Sequence, residues 1–310
     1  MSTTRFAKPL RELREALLRA AWTQWRAMGG QSAVARAPAS IVDPEALVLA
    51  SLWLNDEEPR LWDFLFGFAG MGSRLLSVQR IKGLLPRFPD GGGERLATFA
   101  AAVVQAGRDP RWRVLAGSRR VRAGRSGKSA DPSAAMAEPA ALMLRLRTGF
   151  GVDVRTDALA YLIGRREAWA DVRELAGALG YAKATVRGAC EALADARMIE
   201  RSGDRPARYY ASGARWCELL GLAQAPAWRP WATAYQLALA LLRWLETEGA
   251  RPMSDALASS LAREWTHARR AELKVLQLEV ADTRDHPGEA FLPVFDGTVA
   301  ALARWIGAAV

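Results

Sequence analysis

The chain has 310 residues, half of them apolar and a quarter charged, a composition that suits a globular protein of about two domains with ample core material. Its formal net charge of +10 and pI near 10.3 favour nucleic acid or another anionic partner and say nothing about fold. The longest apolar stretch, around Ala232–Leu242, is too short to span a bilayer and is followed by Arg243, so no membrane partner is expected.

Hydrophobic spacing predicts a mainly α chain. The first helix covers about Leu10–Met28 and ends at Gly29-Gly30. Asp43-Pro44 is a strong helix start, with Asp as N-cap and Pro at the first helical position; that helix runs to about Leu54. Further helices fit Pro59–Ala69, Val78–Leu85 with Ser77 as cap, and Glu94–Gln105, separated by Gly and Pro. Residues 107–137 break the pattern and read as a basic linker or arm, with a short strand at Trp112–Leu115. Between Arg108 and Lys128 stand eight basic residues against one acid, Asp109. A compact block follows from about Glu138 to Leu222. The remainder reads as three helices, Trp231–Glu248, Ser254–Ala281 and Ala290–Ala308, with Pro287-Gly288 marking the last turn. The domains expected are a helical N-terminal domain (1–106), the arm (107–137), a central domain (138–218) and a helical C-terminal domain (219–310).

Within the central block, Asp171 and Glu174 have the spacing of a capping box. They start a short helix, Val172–Leu179, which Gly180 ends as a residue tolerant of left-handed backbone. A second helix begins near Lys183. Its inner stripe is Val186, Ala189, Cys190 and Leu193, and its outer face holds Ala184, Arg187, Gly188 and Glu191. This succession resembles the helix-turn-helix motif. The motif has a small residue in its first helix, a glycine in the turn and a β-branched residue in its second helix, matched here by Ala176, Gly180 and Val186. Leu175, Leu179, Ala189 and Leu193 supply the rest of its core. The following "MIERSGDRPARYYAS" fits two strands, Met198–Arg201 and Ala207–Ala211, around a turn. That hairpin looks like the wing of a winged-helix domain, and "KATVRGACEALADARMIER" is similar to GntR-like and MarR-like transcription regulators. A helix at Thr156–Ile163 completes the three-helix core.

The resemblance covers about 155–215 and departs from the family at Ala182, where Ser or Thr usually caps the recognition helix; the loss is ~1 kcal/mol. It implies a central winged helix-turn-helix domain of three helices plus a β-hairpin wing, flanked by helical N- and C-terminal regions.

The function implied is a cytoplasmic transcription regulator that binds double-stranded DNA, with no enzymatic activity. In that reading Ala184 and Gly188 let the helix approach the major groove, and Arg187 pairs with guanine. Lys183 and Thr185 suit base or phosphate contacts. Arg201, Arg205 and Arg208 of the wing, and Arg119, Arg120, Arg122 and Arg125 of the arm, suit phosphates. A homodimer is expected, because paired half-sites need two copies. The apolar C-terminal helices are candidates for the dimer interface or for a small-molecule or protein effector. The competing readings are a protein-interaction module, such as an antitoxin-like or defence-associated subunit, and an enzyme with its site in the helical flanks. Region 151–215 has eleven basic and nine acidic residues, a balance that leaves the first of these open.

Other signals carry less. Two cysteines, Cys190 and Cys217, and two histidines, His267 and His286, show no zinc-ligand spacing, and the unpaired cysteines fit a reducing compartment. No cofactor or metal is expected. The first residues lack an uninterrupted apolar run, so no signal peptide is expected. "GRSGKS" (Gly124–Ser129) lacks the leading glycine of a phosphate loop, because Arg122 stands there. "FGFAGMGS" (Phe66–Ser73) has the wrong glycine order for a dinucleotide loop and reads as helix and turn. Asp282, Asp285, His286 and Glu289 form a polar interhelical loop.

Overall fold

The computed structural model describes residues 5–30, 38–89, 92–107, 109–119, 135–282 and 284–308. Arg120, Arg122, Arg125 and the "GRSGKS" stretch lie outside the described residues. The described chain is mainly helical, with one small antiparallel sheet, and none of its helices is long and apolar enough to cross a membrane. It divides into two compact units, Met1–Ala21 with Pro230–Val310, and Trp22–Arg229. Helix α1 (Ala7–Ala27) contributes to both units.

In the first unit, the early part of α1 joins α12 (Trp231–Thr247), α13 (Asp255–Ala268), α14 (Arg270–Val275) and α15 (Phe291–Gly307). Aromatic edges fill its centre: Phe6 meets Trp244 at 5.6 Å and Phe295 at 5.8 Å, and Trp265 meets Phe295 at 5.9 Å. The helix predicted over Ser254–Ala281 is broken instead. Helix α13 stops at Ala268, and α14 ends before Gln277, which takes a left-handed φ of 56°. The Leu278 amide then donates to Leu273 O at 3.0 Å, closing the helix end.

The second unit is built from α2 (Pro44–Leu54), α3 (Arg60–Met71), α4 (Val78–Leu84), α5 (Gly92–Ala102) and α6 (Arg113–Ala116), followed by α7 (Leu142–Phe150), α8 (Val154–Gly164), α9 (Val172–Leu179), α10 (Lys183–Asp195) and α11 (Gly213–Leu220). Apart from Glu45 and Ser51, helix α2 is apolar, and it is buried almost throughout, the pattern of a central helix. Its start is the predicted one: Asp43 accepts from the Ala46 amide at 3.0 Å, with Pro44 next. Ser77 likewise caps α4 through the Arg80 amide at 3.2 Å. The strand predicted at Trp112–Leu115 is helical. Asp109-Pro110 repeats the Asp-Pro start, Asp109 accepts from the Arg111 amide at 3.1 Å, and buried Trp112 packs edge-on against Phe99 at 5.4 Å.

Five charged side chains are sealed in this unit: Asp43, Glu45, Arg80, Arg147 and Asp157 are each at most 1 % exposed. The Arg80 fork takes both Asp43 oxygens at 2.5 Å and Glu45 Oε2 at 2.6 Å. Arg147 donates to both Asp157 oxygens at 2.8 Å and to Glu45 Oε1 at 2.6 Å. Backbone groups complete the set: Arg147 reaches Leu75 O at 2.8 Å, and the Ser77 amide donates to Glu45 at 2.7 Å. Burial pushes the Glu45 carboxyl up, and the Arg147 and Arg80 charges more than offset it, so it sits below its ordinary value. Both guanidiniums are held firmly protonated by the carboxylates, against the burial that opposes them.

Two outcomes are expected from the cluster. Glu45→Gln neutralises the carboxylate that bridges the two guanidiniums, each of which keeps its own aspartate, and lowers the unfolding free energy by about 1–3 kcal/mol in urea titration. A carboxyl whose folded value is depressed stabilises fully above its unfolded value, 4.5, and less as acid protonates it. Wild-type stability therefore falls as pH drops below about 4.5, and Glu45→Gln shows a shallower fall over the same range.

Candidate nucleic-acid interface

The α9–turn–α10 pair forms from local signals. Asp171 caps α9 by accepting from the Glu174 amide at 2.8 Å. The Glu174 carboxylate turns away from the helix end to the Tyr161 hydroxyl at 2.9 Å and to Arg165 at 3.0 Å. Gly180 adopts φ 75° and ψ 22° and donates to Ala176 O at 3.0 Å, a left-handed cap that a side chain would strain. Helix α10 then starts behind Ala182, which offers no side-chain cap.

The two faces of α10 separate as their spacing predicts. Val186, Ala189, Cys190 and Leu193 are buried and pack into the core that α8 and α9 share. Lys183, Ala184, Thr185, Arg187 and Gly188 are all exposed, and Glu191 is half-buried. Burial pushes the Cys190 thiol up to about 12, so it serves as an uncharged apolar filler. A Cβ built on Gly188 meets nothing within 4 Å. The fold therefore does not require glycine there, although glycine inside a helix costs about 1 kcal/mol relative to alanine.

The sheet runs β1 (Ala170–Asp171), β3 (Arg208–Tyr210), β2 (Glu200–Arg201), antiparallel throughout. Its strands are shorter than the sequence suggests, because Ile199 and Ala211 leave the ladder to enter the core. Tyr209 is buried and lies opposite Arg201. Burial raises its hydroxyl pKa, Cys190 and Glu191 raise it further, and Arg201 and Arg187 oppose them. Arg201 thus shares a sheet face with Tyr209, and the charges of both Arg201 and Arg187 bear on that hydroxyl. Arg208 alternates to the other face, opposite Asp171. Arg205 is exposed between the strands, in a turn where the Ser202 hydroxyl accepts from the Arg208 amide at 3.0 Å.

Arg119 lies elsewhere in the unit. It meets Glu94 Oε1 at 2.5 Å and Thr98 Oγ1 at 3.0 Å, and it lines an open cavity of about 340 Å³ with Gln105 and Arg113. Two features carry no sequence signal. Trp169 stacks on Tyr210 at 5.3 Å. Glu167, in left-handed backbone at φ 68°, accepts from the Gly213 amide at 2.8 Å and from the Tyr210 hydroxyl. Among the described residues, no group of three or more His, Cys, Asp or Glu side chains is arranged to hold a metal. Comparison of the chain with protein-family models, with curated proteins and with solved structures finds no match.

The two faces of α10 predict opposite stability effects. Gly188→Ala raises the unfolding free energy by about 0.5–1 kcal/mol, because alanine gives up less backbone entropy and meets no clash. Val186→Ala opens a cavity against α8 and α9 and lowers it by about 1–3 kcal/mol. Urea titration of both variants checks the pair.

Proposed function

We propose that the chain is a winged helix-turn-helix protein that binds duplex DNA and regulates transcription, with α10 as the recognition helix. The observation that carries this reading is the outer face of α10. Ala184 and Gly188 leave it without bulk, residues 183, 184, 185, 187 and 188 are all exposed, and Arg187 rises from its middle. A helix seated in the major groove needs such a face, and an arginine there offers two parallel donors to guanine. Lys183 and Thr185 contact the first-turn bases or phosphates. Arg201 reaches the backbone beside Arg187, and Arg205 extends the contact at the hairpin tip.

Arg208 and Arg119 support the reading less, since one faces away from Tyr209 and the other is engaged by Glu94. The arm residues Arg120, Arg122 and Arg125 contribute sequence-independent phosphate affinity by charge alone. The protein acts as a cytoplasmic homodimer on paired half-sites. A second reading, a protein-interaction module, is favoured by one observation. Phe150 is 51 % exposed against Trp216, and Leu219, one turn further along α11, is 70 % exposed.

Binding to random duplex DNA across a salt series tests the proposal. Steep weakening with salt is expected, and no binding at low salt removes the DNA reading. Site selection then assigns α10. Arg187→Ala loses about 1–3 kcal/mol of discrimination at one position while keeping its affinity for random DNA. If the variant selects the same motif as the wild type, α10 is not the reading helix. Light scattering of the DNA complex checks the dimer, and a monomer mass there rules it out.

A further inference from the structure

We infer that the segment Ser77–Leu84 is a positioning element for α10, and that Tyr181 is the residue through which it acts. This rests on α10 being the reading helix. The turn between α9 and α10 is gripped at three successive residues. Leu179 O accepts from Arg80 Nε at 2.8 Å. Gly180 lies so close to α4 that its carbonyl oxygen is 2.9 Å from where a Cβ on Gly83 would stand. Tyr181 is buried, with its hydroxyl 2.9 Å from Asp157 Oδ2 and 3.0 Å from Ser77 Oγ.

Hydrogen counting fixes the polarity of that last group. Ser77 Oγ accepts from the Arg80 amide, so its own hydrogen is free to go to Tyr181 Oη. Tyr181 in turn donates to the Asp157 carboxylate. Tyr181 thus closes a chain from the α4 cap to the buried ion cluster.

Helix α10 begins two residues later with no side-chain cap at Ala182. A start without a local cap takes its position from whatever holds the residues before it. Here that is Tyr181, so the first turn of α10, with Lys183, Ala184 and Thr185, is placed by contacts from α4 and α8. Arg187 follows one turn on. Tyr181 is a positioning residue with no DNA contact of its own.

The test uses Tyr181→Phe, which keeps the ring and removes the hydroxyl, and Gly83→Ala, which pushes a methyl against the Gly180 carbonyl. A duplex selected by the wild type and a random duplex are titrated well below each protein's melting point. Hydrogen exchange is followed at residues 186–189, whose amides are the first with partners in α10, and, as reference, at 158–163. For Tyr181→Phe, affinity for the selected duplex falls about fivefold to tenfold. Affinity for the random duplex stays within about twofold, and exchange at 186–189 speeds up by about the same factor as the specific loss. Gly83→Ala shifts both readouts the same way.

A merely structural role lowers the melting point and both affinities together, and that result overturns the inference. So does Tyr181→Phe with wild-type discrimination and wild-type exchange. If the wild-type protein binds no duplex, the DNA reading fails by itself, and exchange at 186–189 still decides whether Tyr181 holds α10.

Discussion

Two guanidiniums sealed from water govern how the larger unit is put together. Taking an arginine out of solvent costs several kcal/mol unless its donors are met. Arg80 and Arg147 meet theirs with three carboxylates and two backbone carbonyls. The helices themselves favour part of this arrangement. Asp43 caps α2, Glu45 lies in its first turn and Asp157 lies in the first turn of α8, where the helix dipole favours negative charge. Arg147 lies in the last turn of α7, where it favours positive charge. Arg80 is the exception, in the first turn of α4, where only its two carboxylates and the Leu179 carbonyl offset the unfavourable end of the helix.

The cluster decides which parts of the chain cannot move independently. It draws on residues 43–45, 75–80, 147–157 and 179–181, segments far apart in sequence. Helix α8 acts as the spine. Its Asp157 receives Tyr181 from beyond the end of α9, and Tyr161, one turn later, donates to Glu174 at the start of α9. Both ends of α9 are therefore tied to a single face of α8. In this chain the α9–α10 pair is built into a larger body that includes α2 and α4.

The sequence exposes features that local chemistry decides. Asp43-Pro44, Ser77, Asp171 and Gly180 are legible because a cap or a left-handed turn needs a particular residue at a particular place. The inner stripe of α10 is legible because 3.6-residue periodicity sorts apolar from polar. Arg80 and Arg147 are not legible, since a buried arginine and a solvated one look alike until the carboxylates 35 and 102 positions away are known to face them. Glu174 shows the same limit: its spacing predicts a reciprocal cap, and a tyrosine and an arginine from α8 and its end claim it. Gln277 ends α14 in left-handed backbone without the glycine that would announce it. Asp109-Pro110 was readable as a helix start, and its basic, glycine-rich setting hid it.

The candidate face inherits its rigidity from both ends of α10. At the front, Tyr181 fixes the start. At the back, Arg197 turns left-handed at φ 56°, and the Met198 amide closes onto Leu193 O at 2.9 Å. Left-handed backbone is disfavoured for arginine by about 1–2 kcal/mol, so the core must hold that turn in place. Ile199 enters the core immediately afterwards, and Trp216 Nε1 donates to Met198 O at 3.3 Å. The chain therefore reaches β2 along a fixed path, and Arg201 emerges opposite a buried Tyr209. The path to Arg201 is therefore held by the same packed core that holds the inner stripe of α10. Because the outer face of α10 adds nothing to that core, changes at 184 and 187 leave the scaffold intact. Changes at 179–181 alter how the scaffold presents that face.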